Sequence, residues 1–180
     1  IGDVFLNGRE ARDALNCVGN THGGIECADG QWYVFYHRQT NRTNYSRQAC
    51  AEKIYFDESG RIAQAEVTSC GLNDGPLPAE GTYPAYICCH LTLDGGNTYS
   101  HPLAMGDRFP YQTQDVKDIT PDGTGFPETA VKDAAFPVQY VKNMRDKATM
   151  GFKYFECKGV KKISLTLRGR GSGHIIITDT

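Results

Sequence analysis

The sequence predicts an all-β protein built from two units. Three observations carry that expectation. No stretch of 10–12 residues shows a convincing helical period. Short runs rich in Tyr, Phe, Trp, Val and Ile recur, each bounded by Gly, Pro or Asp. Residues 71–84 (GLNDGPLPAEGTYP) concentrate glycine and proline and mark the best boundary between two units.

Taken in chain order, Glu10–Leu15 (EARDAL) has room for one or two helical turns. The pair Asp29-Gly30 opens the strand Gln31-Trp32-Tyr33-Val34-Phe35-Tyr36-His37 as a turn would. The stretch 51–57 (AEKIYFD) is a second strand. Glu58-Ser59-Gly60 then leads into 61–67 (RIAQAEV), which reads as the return arm of a hairpin. Beyond the boundary, 85–93 (AYICCHLTL) is expected to be a strand ending at the turn Asp94-Gly95-Gly96-Asn97. Residues 94–129 are polar and irregular. Strands are expected again at 137–144, 151–157, 162–168 and 174–178, with Lys158-Gly159 as a hairpin turn. In 162–168, Ile163, Leu165 and Leu167 alternate with Ser164, Thr166 and Arg168, the pattern of a half-buried strand. This pattern implies a β-sandwich, which needs about seven or eight strands. About five follow residue 84, so the second unit is expected to be incomplete at its C-terminus.

Composition removes several function classes. The 180 residues carry 19 Lys and Arg against 21 Asp and Glu, a net charge of −2. There is no basic stripe, so nucleic acid is not expected as a main partner. No apolar run reaches the roughly 18–20 residues that a membrane helix needs, so no membrane partner is expected either. The seven cysteines are odd in number and form no CxxC pair. Neither a disulfide framework nor a zinc ribbon is implied. They are expected to be mostly reduced, buried, small apolar residues, and the reducing compartment this implies is cytoplasmic. A secreted location is the alternative if a signal lies upstream of Ile1, where neither Met nor a signal-like segment begins the sequence. On the reduced-thiol reading, the sequons at Asn41 and Asn44 are coincidental.

Two residues stand out as candidates for a site. His22 lies in Asn20-Thr21-His22-Gly23-Gly24, where adjacent glycine lets the backbone approach something closely. It could ligate a metal or hydrogen-bond a polar ligand; the plainer reading is a loop histidine with no role. Arg47 opens a strand in Tyr45-Ser46-Arg47-Gln48-Ala49-Cys50 and could aim a rigid fork of donors at hydroxyls or a carboxylate. The plainer reading is a surface arginine on a strand edge. Glycosidic chemistry needs two carboxyl groups roughly 5–10 Å apart. Glu26, Asp29, Glu52, Asp57 and Glu66 are available, and none sits in a motif that marks it. The patterns GxSxG, HExxH and GxxxxGK[ST] are absent.

The runs NTHGGIECADGQWYVFYHR, YSRQACAEKIYFDESGRI and EVTSCGLNDGPL together resemble the C-terminal end of the catalytic domain of glycoside hydrolase family 43. That family contains β-xylosidases, α-L-arabinofuranosidases and arabinanases. The resemblance covers about residues 1–75. It rests on a His-Gly pair, a DGQWYVFYH strand about ten residues on, and an Arg-containing strand ending in a D-x-x-G-x-I hairpin. It implies the last blade or blades of a five-bladed β-propeller. It also implies two substrate-binding positions. The family's axial histidine matches His22, which in relatives binds a central calcium ion or a water, or supports the catalytic base. The family's arginine matches Arg47, which in relatives reaches the sugar in the cleaved-bond subsite.

The departure from the family is in the acids. Its inverting chemistry uses an Asp base, a Glu acid and a second Asp, all from earlier blades. No catalytic residue is therefore expected in this chain, which alone would be inactive without upstream blades. Residues 137–179 resemble the first half of a galactose-binding-like jelly roll of carbohydrate-binding family 6 type. Such modules stack an exposed aromatic on a sugar ring, and Tyr140, Phe152, Tyr154 and Phe155 are the candidates, though alternation favours core packing for each. The resulting expectation is a propeller part over 1–78 and a partial sandwich over 82–180. The function expected is that of the C-terminal portion of a glycosidase acting on xylan or arabinan sugars. An oligosaccharide or polysaccharide is its partner, and calcium is the one cofactor raised. A non-catalytic carbohydrate-binding module or a truncated remnant is the alternative.

Overall fold

The computed structural model describes residues 22–40, 47–94, 96–97, 110–113, 139–167, 169 and 171–179. Within them the chain is all-β apart from one short 3-10 turn. No helix among the described residues is long and apolar enough to cross a membrane. The segment at 10–15 and both sequons lie outside the described residues.

The first sheet is an antiparallel meander of β1 (Gly23–Ala28), β2 (Gln31–Gln39) and β3 (Arg47–Ile54), in that order. Asp29 and Gly30 both take positive φ, 49° and 82°. A two-residue turn of that hand matches the twist of the strands it joins, so the Asp-Gly pair sets the register. Cys27 pairs with Trp32 and Gly23 with Tyr36; Trp32 pairs in turn with Ile54, and Gln39 with Arg47. Strand alternation then sorts the side chains. Trp32, Val34, Tyr36 and Arg38 share one face with Gln48, Cys50, Glu52 and Ile54. Tyr33, Phe35 and His37 share the other with Arg47, Ala49, Ala51 and Lys53.

The expected hairpin after β3 shrinks to a single bridge, Phe56 to Ile62. Its turn is well made. The Asp57 Oδ1 accepts from the Ser59 N–H at 2.8 Å, the Ser59 hydroxyl at 2.7 Å and the Arg61 N–H at 2.9 Å. Beyond Ala63 the chain leaves the ladder, because Thr68 turns back to bond Glu52 on the inner face.

The second part is made of short pieces. β4 (Leu77–Pro78) pairs in parallel with β10 (Phe155–Glu156). β5 (His90–Leu93) lies between β6 (Gly96–Asn97) and β9 (Ala148–Gly151), and β7 (Tyr111–Thr113) pairs with β8 (Tyr140–Lys142). The strand expected over 85–93 begins instead as the 3-10 turn Ala85–Ile87, after Pro84. The stretch 71–84 carries β4, so its backbone is bonded into the second part.

The strands expected at 162–168 and 174–178 are not formed among the described residues, where both segments run without ladder bonds. Ile163, Leu165, Leu167, Ile175, Ile176 and Ile177 are exposed. Alternation marks a face that can be buried, but a strand also needs a neighbour to accept its backbone groups. The expectation for cysteines is corrected as well. Cys88 and Cys89 are buried, whereas Cys27 and Cys157 are exposed; all six described cysteines are free thiols. Among the described residues the buried apolar side chains are Ile54, Leu77, Cys88, Cys89 and Leu91.

Candidate functional site

His22 precedes β1 and continues its register, which places it opposite His37. The two rings meet edge to face, with centroids 4.6 Å apart and planes at 79°. The glycine after His22 has a steric reason. A Cβ at Gly23 would lie 1.9 Å from the Phe35 carbonyl oxygen, so only glycine allows β1 to come this close to β2. At Gly24 an added Cβ meets nothing within 4 Å. The His-Gly pair is thus one unit, in which Gly23 permits the approach and His22 uses it.

Arg47 is the first residue of β3, exposed, and paired with Gln39. Two residues before Gln39 on the same face is His37. The sheet therefore places His22, His37 and Arg47 on one face at one end. His37 is the member that sequence reasoning passed over. Its signal was available, since a turn at residues 29–30 makes His37 the partner of His22.

No group of three or more potential metal ligands forms among the described residues. The neighbour that the structure gives His22 is an imidazole. Calcium takes six to eight oxygen ligands. These residues do not make a calcium site by themselves.

The opposite face of the sheet is a buried polar layer. Arg38 is 6% exposed. Its Nε donates to the Gln48 Oε1 at 2.7 Å, its Nη1 to the Cys88 carbonyl at 2.6 Å and its Nη2 to the Tyr86 carbonyl. A buried guanidinium is tolerated only when its donors are used in this way. Glu52, 5% exposed, lies two pairs along on the same face. Its Oε1 accepts from the Thr68 N–H at 2.8 Å and from the Tyr36 hydroxyl at 3.3 Å; its Oε2 accepts from the Thr68 hydroxyl at 2.7 Å. Burial pushes the Glu52 carboxyl above its ordinary range, against the opposing pull of the Thr68 bonds. Burial likewise raises the Tyr36 phenol and the Cys50 thiol. Glu52 is enclosed and fully bonded, so it has the environment of a structural acid that fixes Thr68. None of the acids weighed from the sequence is brought into a catalytic pair by the contacts described.

The chain is similar to a protein described as xylosidase/arabinosidase from Thermoclostridium stercorarium. The two are 46% identical over 153 residues, which takes in 84% of this chain and 29% of the relative. The chain thus spans less than a third of that relative's length. No family model matches the chain. No solved structure matches it.

Proposed function

We propose that this chain is the C-terminal portion of a family 43-type glycoside hydrolase acting on xylan- or arabinan-derived sugars. The observation that carries the reading is the 46% identity to a xylosidase/arabinosidase across most of the chain. The placement of His22 and Arg47 on one face, at one end of a single sheet, supports it, because both must face one pocket to share a sugar.

In this reading residues 1–78 belong to the last part of a β-propeller and residues 82–180 to a galactose-binding-like sandwich. The Arg47 guanidinium holds hydroxyls of the sugar whose bond is cut. His22, with His37 against its ring, supports the pocket floor. A calcium ion on the axis would draw its oxygen ligands from outside the described residues. The acid and base come from the remainder of a longer protein. The base takes a proton from water as that water attacks the anomeric carbon. The acid gives a proton to the leaving oxygen as the glycosidic bond breaks, and the configuration inverts.

The test is hydrolysis of aryl β-xyloside and aryl α-L-arabinofuranoside by the complete protein, with the first-formed anomer read by proton NMR. Release of the inverted sugar is expected. Arg47→Ala should lower kcat/KM by about a hundredfold or more while the melting temperature stays within a few degrees. Retention of configuration, or unchanged kinetics in the variant, would overturn the mechanism or the assignment of Arg47.

A further inference from the structure

A second candidate for ligand binding lies away from the His22 and Arg47 face. The chain that leaves β3, the turn region before β4 and the residues before β10 enclose an open cleft of about 470 Å³. That volume is within the range of small-ligand sites, roughly 300–1,000 Å³.

Its lining combines two exposed aromatic rings with polar and charged groups that are already hydrogen-bonded. Tyr55 is 61% exposed and Tyr154 is 48% exposed, and both border the cleft. Tyr154 is held firmly. Its hydroxyl donates to the Glu66 Oε2 at 2.7 Å, its N–H to the Cys70 Sγ at 3.4 Å, and its carbonyl accepts from the Leu77 N–H at 2.9 Å. A ring fixed before the ligand arrives loses little freedom on binding.

Of the charged groups in the lining, Lys53, Asp74 and Glu66 are in ion pairs, and the buried Glu52 is held by Thr68 and Tyr36. The Lys53 ammonium lies 2.5 Å from the Asp74 Oδ1, and the Lys153 ammonium 2.7 Å from the Glu66 Oε1. Three carboxyl groups against one lysine give the lining no attraction for a phosphate, and each carboxyl already accepts a hydrogen bond from a protein donor. The cleft does offer acceptors and donors, with the side chains of Gln64 and Asn73 on its wall. Aromatic faces beside neutral hydrogen-bonding groups suit a ligand with an apolar ring face and a rim of hydroxyls.

We propose that this cleft is a saccharide-binding site separate from the His22 and Arg47 face, with Tyr154 and Tyr55 as the surfaces on which pyranose or furanose rings lie. The choice of pentose oligomers as ligand rests on the glycosidase reading; the cleft itself does not.

The test is titration of the chain with xylotetraose and arabinotetraose, followed by calorimetry and by NMR of the labelled protein. Millimolar binding of at least one oligomer is expected, with shifts confined to the cleft. Tyr55→Ala, at an exposed position, should weaken it roughly tenfold without loss of folding. Tyr154→Phe, which keeps the ring and gives up the bond to Glu66, should retain most of it, and Tyr154→Ala should not. No binding of either oligomer, or binding indifferent to both tyrosines, would overturn the proposal. Cleft binding in a complete protein that hydrolyses neither aryl glycoside would instead remove the catalytic reading and leave this site standing.

Discussion

The Arg38 Nη1 donates to the carbonyl oxygen of Cys88, 50 residues further along the chain, at 2.6 Å. The same guanidinium serves the Tyr86 carbonyl, so one side chain of the first sheet closes the backbone of the turn that leads into β5. Arg38→Met fills the volume but leaves both carbonyls and Gln48 without this donor. It should cost about 3 kcal/mol in denaturant unfolding of the chain. Hydrogen exchange should rise over 85–91 before it rises elsewhere. Arg38→Lys should recover less than half, since one ammonium cannot span three acceptors in the plane of a guanidinium. An unchanged midpoint in Arg38→Met would mean that the turn is held by something else.

The junction has a second fastening, and it should matter far less. Lys153 and Glu66 form an ion pair whose side chains are both at least two-fifths exposed. Such pairs contribute about 0–1 kcal/mol. Lys153→Ala should therefore shift the unfolding midpoint only slightly, and 1 M salt should abolish most of the difference. A loss as large as that of Arg38→Met would show that the exposed pair had been undervalued.

Adjacent glycines should respond unequally. Gly23→Ala puts a methyl 1.9 Å from the Phe35 carbonyl oxygen, a backbone atom that cannot swing away. It should cost about 1–3 kcal/mol and disturb the His22–His37 ring contact, visible in the imidazole proton shifts. Gly24→Ala enters open space and should stay within about 0.5 kcal/mol of the parent. Equal effects at the two positions would contradict the register of β1 on β2.

Glu52 should leave a mark on the pH dependence of stability. Burial raises its carboxyl pKa in the folded chain above the ordinary 4.5. The folded state then holds that proton more tightly than the unfolded state does. Its contribution to stability is fully present below about pH 4.5 and is lost as pH rises through the raised value. Glu52→Gln keeps an acceptor for the Thr68 N–H and removes the titration. The stability of the parent minus that of the variant should fall with pH over this window. Taking the difference cancels Glu66 and Asp74, whose pKa values are lowered by their lysine partners and which act in the opposite direction. A flat difference would place Glu52 in contact with water.

How far the sequence could be read depended on whether a feature was local. β2 was legible because aromatic residues follow an Asp-Gly turn whose geometry the next residues must obey. β1 (GGIECA) was not, because two glycines carry no strand preference and the reason for the first one, the Phe35 carbonyl, lies across the sheet. Arg47 was recognisable as a strand opener, whereas His37 required the register to be worked out. Arg38 alternates with Trp32, Val34 and Tyr36, so its inward face was implied, but carbonyls at residues 86 and 88 are invisible in the pattern. Tyr154 was assigned to the core and is half exposed, because β10 makes only two pairs and leaves the preceding residues on the surface. The alternating residues 163–167 show the limit from the other side: a face can be read without a neighbour, and a ladder cannot.

The parallel pairing of β4 with β10 carries a kinetic consequence. The turn at residues 29–30 and the β2–β3 connection let the first sheet zip from short loops. The bond from the Tyr154 N–H to the Cys70 Sγ joins groups 84 residues apart. The chain must surrender the entropy of that long loop before the two-pair ladder offers any return. The meander should therefore appear first in refolding, with its buried Arg38 and Glu52 still awaiting their cover. The slow phase should be the docking of residues 153–156, when the last of the water leaves Leu77 and Ile54.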